Sequence, residues 1–173
     1  NVETLSFDDG EIGVSLDTNG LVLTGSAGVD NINIAGSVAV TVLGQDDADT
    51  LVGGTGDDII EGGVGDDDID GGSGDDVAVF AGKLEDYTFA SSVDGLTITI
   101  SDGTNVDIVK GVETLRFADA DIGVSRDTTD NHMILTGTSD ADTITVVGDV
   151  GIEVLGTGGP DILKGGMGDD AIE

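Results

Sequence analysis

Aspartate recurs on a strict nine-residue beat through Gly53–Val79, which reads GGTGDDIIE GGVGDDDID GGSGDDVAV. Each block opens Gly-Gly-x-Gly-Asp-Asp and carries Ile60, Ile69 or Ala78 in eighth place. Glycine accepts positive φ and lets the backbone reverse sharply, which leaves carbonyl oxygens pointing inwards. The aspartate in sixth place adds a carboxylate. Carbonyls and carboxylates together make an oxygen cage, the ligand set of a hard cation such as calcium, which takes six or more oxygens. The candidate ligands in these blocks are therefore Asp58, Asp67 and Asp76, with Gly54, Gly56, Gly63, Gly65, Gly72 and Gly74 in the second and fourth places. Gly165–Glu173, GGMGDDAIE, is a fourth clear block and adds Gly166, Gly168 and Asp170. Degenerate blocks at Gly25–Asn33, Gly44–Val52, Gly137–Thr145 and Gly156–Lys164 keep the first glycine and the sixth-place acid but lack the second glycine, two of them with Asp in place of the fourth, and add Asp30, Asp49, Asp142 and Asp161.

These turns need strands to hold them, and the rest of the chain supplies strands. NINIAG, VAVTVLG, YTFAS, LTITIS, NVDIV and VETLRF are alternating or β-branched runs. Asp94-Gly95 and Asp102-Gly103 fall between such runs and predict hairpin turns. No segment carries a helical stripe. Val38, Val40 and Val42 read as core. A larger repeat encloses the nine-residue one. Leu23–Glu61 falls on Leu135–Glu173 with a shift of 112 and 19 of 39 positions identical. Val2–Phe7 and Ile12–Ser15 fall on Val112–Phe117 and Ile122–Ser125 with a shift of 110. The unit is thus about 110 residues, present once in full and once in part, which predicts a window onto a longer tandem array. The expected organisation is residues 1–20 as the end of a preceding unit, 21–82 as a first roll, 83–131 as a β-meander and connector, and 132–173 as a second, truncated roll. Residues 8–20 and 118–131 are expected as connectors.

Composition narrows the function. Thirty-six acidic residues against 5 basic ones give a formal net charge of -31, and 29 of the acids are aspartate. Such a chain repels nucleic acid and anionic membranes. Yet 38% of its residues are hydrophobic, so it has a core to bury once its charge is neutralised. There is no cysteine, and no apolar run long enough to span a membrane. Residues 1–11, NVETLSFDDGE, show neither the basic start nor the apolar centre of a signal peptide. No catalytic constellation assembles around the single histidine, His132, which reads as a connector residue. Acid pairs such as Asp8-Asp9 or Asp46-Asp47 follow from abundance alone. Asp119 and Asp121, in the turn-like ADADI, are a further possible ion site. No enzymatic activity is expected.

The consecutive blocks resemble the RTX calcium-binding nonapeptide, whose motif marks a calcium-binding parallel β-helix. VAVFAGKLEDYTF and VKGVETLRFAD are also similar to β segments that follow such repeats. The resemblance implies an all-β fold, a parallel β-roll (an RTX-type solenoid) with antiparallel β-meander or hairpin inserts. It implies that successive blocks form opposite sides of a flattened coil, so that turns two blocks apart stack around several calcium ions. Asp30, Asp49 and Asp67 then share one column and Asp58 and Asp76 the other. Asp142 stacks on Asp161, and Asp170 has no partner turn beyond it. The fifth-place acids Asp57, Asp66, Asp75 and Asp169 are expected to supply field and solubility.

Two functions remain open at this point. One is a calcium-rigidified structural repeat of a large extracellular or cell-surface bacterial protein: an adhesin, surface layer or filament. Further copies of the repeat would be its partners, joined head to tail by covalent continuation or by assembly. The other is an accessory module of a type I-secreted enzyme or toxin. Either way the resemblance implies a chain that stays unfolded at low calcium and folds outside the cell.

Overall fold

The computed structural model describes residues 4–7, 10–16, 20–127, 129 and 131–173. Among them all regular structure is β, save one 3-10 turn at Leu84–Asp86. The strands form an 11-stranded sheet, a 6-stranded sheet and a 2-stranded sheet. The expected parallel β-roll is present. In the three consecutive nonapeptides and the block before them the last three residues open a short strand whose middle side chain points inwards, since side chains alternate along a strand, whereas Ile172 of the last block is exposed. Leu51, Ile60, Ile69 and Ala78 are buried on this rule. Each large one stabilises the fold by roughly 1.5–3 kcal/mol relative to exposure.

Consecutive blocks alternate between sheets. Thr50–Gly54 and Asp68–Gly72 lie in the six-stranded sheet, while Ile59–Val64 and Val77–Val79 lie in the larger one. Parallel pairing therefore joins residues two blocks apart, Thr50 with Asp68 and Ile59 with Val77. That register puts the turns of alternate blocks directly over one another.

The meander does not form a separate layer. Val106–Lys110 pairs in parallel with Asp68–Gly72, and Thr114–Arg116 with Val77–Val79, so each sheet of the roll is extended by one strand from outside the nonapeptides. Thr88–Ser91 and Ile98–Ser101 add antiparallel strands beyond Val106–Lys110, joined by the two expected hairpin turns, where Gly95 and Gly103 take φ of 64° and 87°. Phe89 then bridges to Val146 of the second roll in parallel sense. In the larger sheet, Thr114–Arg116 pairs antiparallel with Asp121–Arg126, and that strand with Met133–Thr136. Met133–Thr136 next pairs in parallel with Ile152–Leu155, and the second roll begins. The same antiparallel pair precedes the first roll, Thr4–Phe7 on Gly10–Leu16 on Leu21–Thr24.

Two expectations change, and a third falls partly outside the described residues. Residues 8–20 and 118–131, expected as connectors, each contain a strand, Gly10–Leu16 and Asp121–Arg126. Their alternation, Ile12/Val14 and Ile122/Val124, is masked in the sequence by Gly13 and Gly123, which pack against Thr24 and Thr136. Val38 is 67% exposed, whereas Val40 and Val42 are core. The strand starts only at Val40, so Val38 belongs to the preceding turn and escapes the alternation. Finally, the expected strand Val2–Phe7 is described as Thr4–Phe7; Val2 and Glu3 lie outside the described residues.

An aromatic cluster fills the core where roll and meander meet. Phe80, Phe89, Phe117 and Tyr87, three of the 4 phenylalanines and the sole tyrosine, pack with ring centroids 5.0–5.9 Å apart. Such rings contribute apolar area plus roughly 0.5–1.5 kcal/mol per pair.

Candidate metal centre

Two residues survive in all eight blocks, clear and degenerate: the first glycine and the sixth-place aspartate. The structure explains the pairing. A Cβ on Gly53 would sit 2.5 Å from Asp58 Oδ2 and 2.7 Å from the Gly71 carbonyl oxygen. A Cβ on Gly25 would sit 2.6 Å from both Asp30 Oδ2 and the Gly44 carbonyl. Gly44 meets Asp49 Oδ2 and the Gly62 carbonyl in the same way, and Gly62, Gly137, Gly156 and Gly165 meet the carboxylates of Asp67, Asp142, Asp161 and Asp170. The first glycine thus leaves room for one carboxylate oxygen and, from the turn two blocks on, one carbonyl. Sequence reasoning singled out the second and fourth glycines and passed over this first one, although its retention in every degenerate block was the available signal.

The second- and fourth-place glycines shape the turn. Gly54, Gly63 and Gly72 take φ of 113°, 110° and 102°, and Gly65 and Gly74 take 152° and 141°. A Cβ on Gly63 would strike the Gln45 carbonyl, and one on Gly72 the Gly54 carbonyl, so carbonyls of stacked turns face this space. Gly56, Gly166 and Gly168 occupy equivalent places without positive φ, each closely approached by the turn it stacks on. Two of the degenerate blocks keep the geometry without the glycine: Gln45 and Asp47 adopt φ of 93° and 66°, and Thr157 adopts 72°.

The aspartates form two ladders. Asp30 N–H donates to Asp49 Oδ1 at 2.8 Å, and Asp49 N–H to Asp67 Oδ1 at 2.9 Å. On the opposite edge Val40 N–H donates to Asp58 Oδ1 at 2.9 Å, and Asp58 N–H to Asp76 Oδ1 at 2.8 Å. In the second roll Asp142 N–H donates to Asp161 Oδ1 at 3.0 Å and Ile152 N–H to Asp170 Oδ1 at 3.1 Å. One oxygen each of Asp49, Asp58, Asp67, Asp76, Asp161 and Asp170 therefore ties turn to turn.

The other oxygen is the notable one. Asp49, Asp58, Asp67 and Asp76 each bury Oδ2 with no hydrogen-bond partner. A buried ionised carboxylate with an unsatisfied oxygen is costly unless a cation or proton meets it. Burial, then repulsion from neighbouring acids, raises Asp49 and Asp76 to about 6, against backbone hydrogen bonds that lower them. Asp58 and Asp67 are raised for the same first cause. These orphaned oxygens, each facing a glycine cradle, fit a bound cation. Among the described residues no three acidic or histidine side chains gather as a metal cluster. The space over Gly44, Gly53 and Gly137 instead holds a single carboxylate and the carbonyl of a stacked turn.

Asp30 and Asp142 differ. Asp30 Oδ2 accepts from Ser26 N–H at 2.6 Å and Ser26 Oγ at 3.0 Å, and Asp142 Oδ2 from Thr138 N–H at 2.6 Å and Thr138 Oγ1 at 3.1 Å. A hydroxyl residue stands where the clear blocks have their second glycine, so the first turn of each roll already satisfies its acid. Fifth-place acids also tie turns: Asp57 Oδ1 accepts from Asp75 N–H at 3.0 Å and Asp66 Oδ1 from Val106 N–H at 2.8 Å. Asp119 Oδ1 accepts from Leu84 N–H, and Asp121 pairs with Arg116 at 3.2 Å. His132 Nε2 lies 2.8 Å from Glu153 Oε2.

Stacked glycine–aspartate turns on a parallel roll define a class of repeat that folds around cations. The blocks within residues 43–78 and 153–173 are RTX nonapeptides: the model of the RTX calcium-binding nonapeptide repeat, four copies long, matches those residues. Calcium, several ions of it, is the cofactor of these repeats. No curated protein matches the sequence. Among solved structures the chain is similar to the extracellular lipase LipA from Serratia marcescens, at 20% identity and a TM-score of 0.30 over 80% of this chain. The chain spans 29% of that lipase's length.

Proposed function

We propose that this chain is a calcium-rigidified structural repeat of a large extracellular bacterial protein, such as an adhesin, a surface layer or a filament, with no catalytic role of its own. The observation that carries the calcium part is the set of four partnerless carboxylate oxygens, all on sixth-place aspartates, each against a first-place glycine. Asp49, Asp58, Asp67, Asp76, Asp161 and Asp170 would hold calcium through Oδ2, with carbonyls of the stacked turns completing each cage. The ion supplies positive charge between like-charged turns, so its binding energy is folding energy.

The structural part is supported by continuity. One sheet of 11 strands runs through both copies of the 110-residue unit, and the antiparallel strands between the rolls restore the strand direction with which the first roll ended. A tandem array built this way stacks coaxially into a stiff rod, one unit continuing the next. The competing reading, an accessory module of a type I-secreted enzyme or toxin, uses the same calcium chemistry but gives no role to a tandem unit of about 110 residues. Small-angle scattering of the chain in calcium separates them mechanically: a rigid repeat keeps one elongated profile at every concentration or grows lengthwise by head-to-tail contact. Two rolls that tumble independently about residues 118–131 would contradict the rod.

A further inference from the structure

The calcium columns run one step beyond the nonapeptides. Asp67 is the last sixth-place acid of its column, yet its N–H donates to Asp107 Oδ1 at 3.0 Å, repeating the bond from Asp49 N–H to Asp67 Oδ1. Asp76 is the last of the other column, and its N–H donates to Glu113 Oε2 at 2.9 Å, as Asp58 N–H does to Asp76. Neither Asp107 nor Glu113 belongs to a nonapeptide.

Gly111 completes the imitation. A Cβ on Gly71 would strike the Gly111 carbonyl and lie 2.8 Å from Asp76 Oδ2. That is the place which the Gly71 carbonyl takes over Gly53. Gly111 reaches it with φ of 60°, so the turn Lys110–Glu113 copies a nonapeptide turn with an unrelated sequence. The orphaned Oδ2 of Asp76, on a side chain wholly buried, faces this same cradle. In the other column Asp67, with its own orphaned Oδ2, and Asp107, only 8% exposed, line a cavity of about 490 Å³ that Tyr87 also lines.

We propose that Asp107, Gly111 and Glu113 supply the terminal ligands of the two columns, so that a calcium ion sits at each junction between roll and meander. The inference rests on the calcium-binding reading of the roll and extends it to residues that no repeat motif covers. It assigns the junction ions a purpose. They fasten Val106–Lys110 and Thr114–Arg116 onto the roll, so meander and roll fold as one unit.

The test uses Asp107→Asn and Glu113→Gln, which remove a charge yet keep the oxygen that accepts the backbone N–H. Bound calcium is counted by native mass spectrometry for the 173-residue chain, these variants, Asp58→Asn, and the exposed-site control Asp149→Asn. Each junction variant is expected to lose one ion and to keep a β spectrum at saturating calcium. Tyr87 is the only tyrosine and there is no tryptophan, so terbium excited through tyrosine reads the cavity holding Asp107. Asp107→Asn should cut that emission severalfold, and Glu113→Gln should leave it. Junction variants that retain the full count while Asp58→Asn loses an ion would overturn this proposal alone. A wild-type chain that binds no calcium would overturn the reading beneath it. If Asp107→Asn does not fold, wild-type terbium emission that calcium fails to displace overturns the cavity site.

Discussion

Replacing Asp58 and its neighbour Asp57 separates ligation from simple negative charge. The two acids are adjacent in one Gly-Asp-Asp turn, and alanine at either removes one charge from the same place. Asp58 is fully buried, with Oδ1 accepting from Val40 N–H and Oδ2 facing Gly53. Alanine there leaves the buried Val40 N–H without its acceptor, at about 1–3 kcal/mol. It also removes a ligand, and a site held at calcium one hundred times its Kd contributes about 2.7 kcal/mol. The expected loss in calcium is therefore roughly 4–6 kcal/mol by addition of the two, a large share of a domain's stability. Asp57 is exposed, and its one described bond, from Asp75 N–H, is also exposed; alanine there costs about 0.5–1.5 kcal/mol. Asp58→Asn keeps the Oδ1 acceptor and should lose only the calcium part. Urea denaturation at millimolar calcium, with ion counting on each variant, measures all three. Equal losses from Asp57→Ala and Asp58→Ala would refute the ligand assignment.

Gly53→Ala should expel an ion, because its Cβ would lie 2.5 Å from Asp58 Oδ2, whereas Gly36→Ala, with nothing within 4 Å, should leave the ion count unchanged. Gln45→Gly should stabilise the calcium-loaded roll by about 0.5–1 kcal/mol in thermal melts, since Gln45 holds φ at 93° in a position where clear blocks use glycine. In chelator, acidification should favour folding. Asp49, Asp76 and Asp107 are raised from 3.8 to about 6, so the folded state binds more protons than the unfolded one between those values. Stability then climbs as pH falls through about 6 towards 4 and levels off below. With calcium present the same protons compete with the ion, so the calcium midpoint should rise over that window. A chelated chain whose β signal weakens as pH falls from 7 to 4.5 would contradict this.

The site was legible because its chemistry is local. Nine residues hold a turn, a carboxylate and a strand, and the beat alone stacks Asp49 under Asp67 and Asp58 under Asp76, as the hydrogen bonds reproduce. Asp107 and Glu113 were not legible. Their roles come from parallel pairing between Val106–Lys110 and Asp68–Gly72, and between Thr114–Arg116 and Val77–Val79, contacts about 40 residues apart that no short motif encodes. Glu113 also uses a longer side chain than any sixth-place acid, so no motif search for Gly-x-Asp finds it. Ser26 and Thr138 were missed for the opposite reason: each looks like a lost glycine, and only the hydrogen bonds show it satisfying the adjacent acid in its own turn.

Circular dichroism of the chain during a calcium titration from excess chelator tests the central claim most directly. In chelator at neutral pH the spectrum should be unordered, because four orphaned buried carboxylates then repel without compensation. It should change cooperatively to a β spectrum as calcium rises towards the millimolar range, reversed by added chelator. A β spectrum already complete in chelator and indifferent to calcium would contradict the claim.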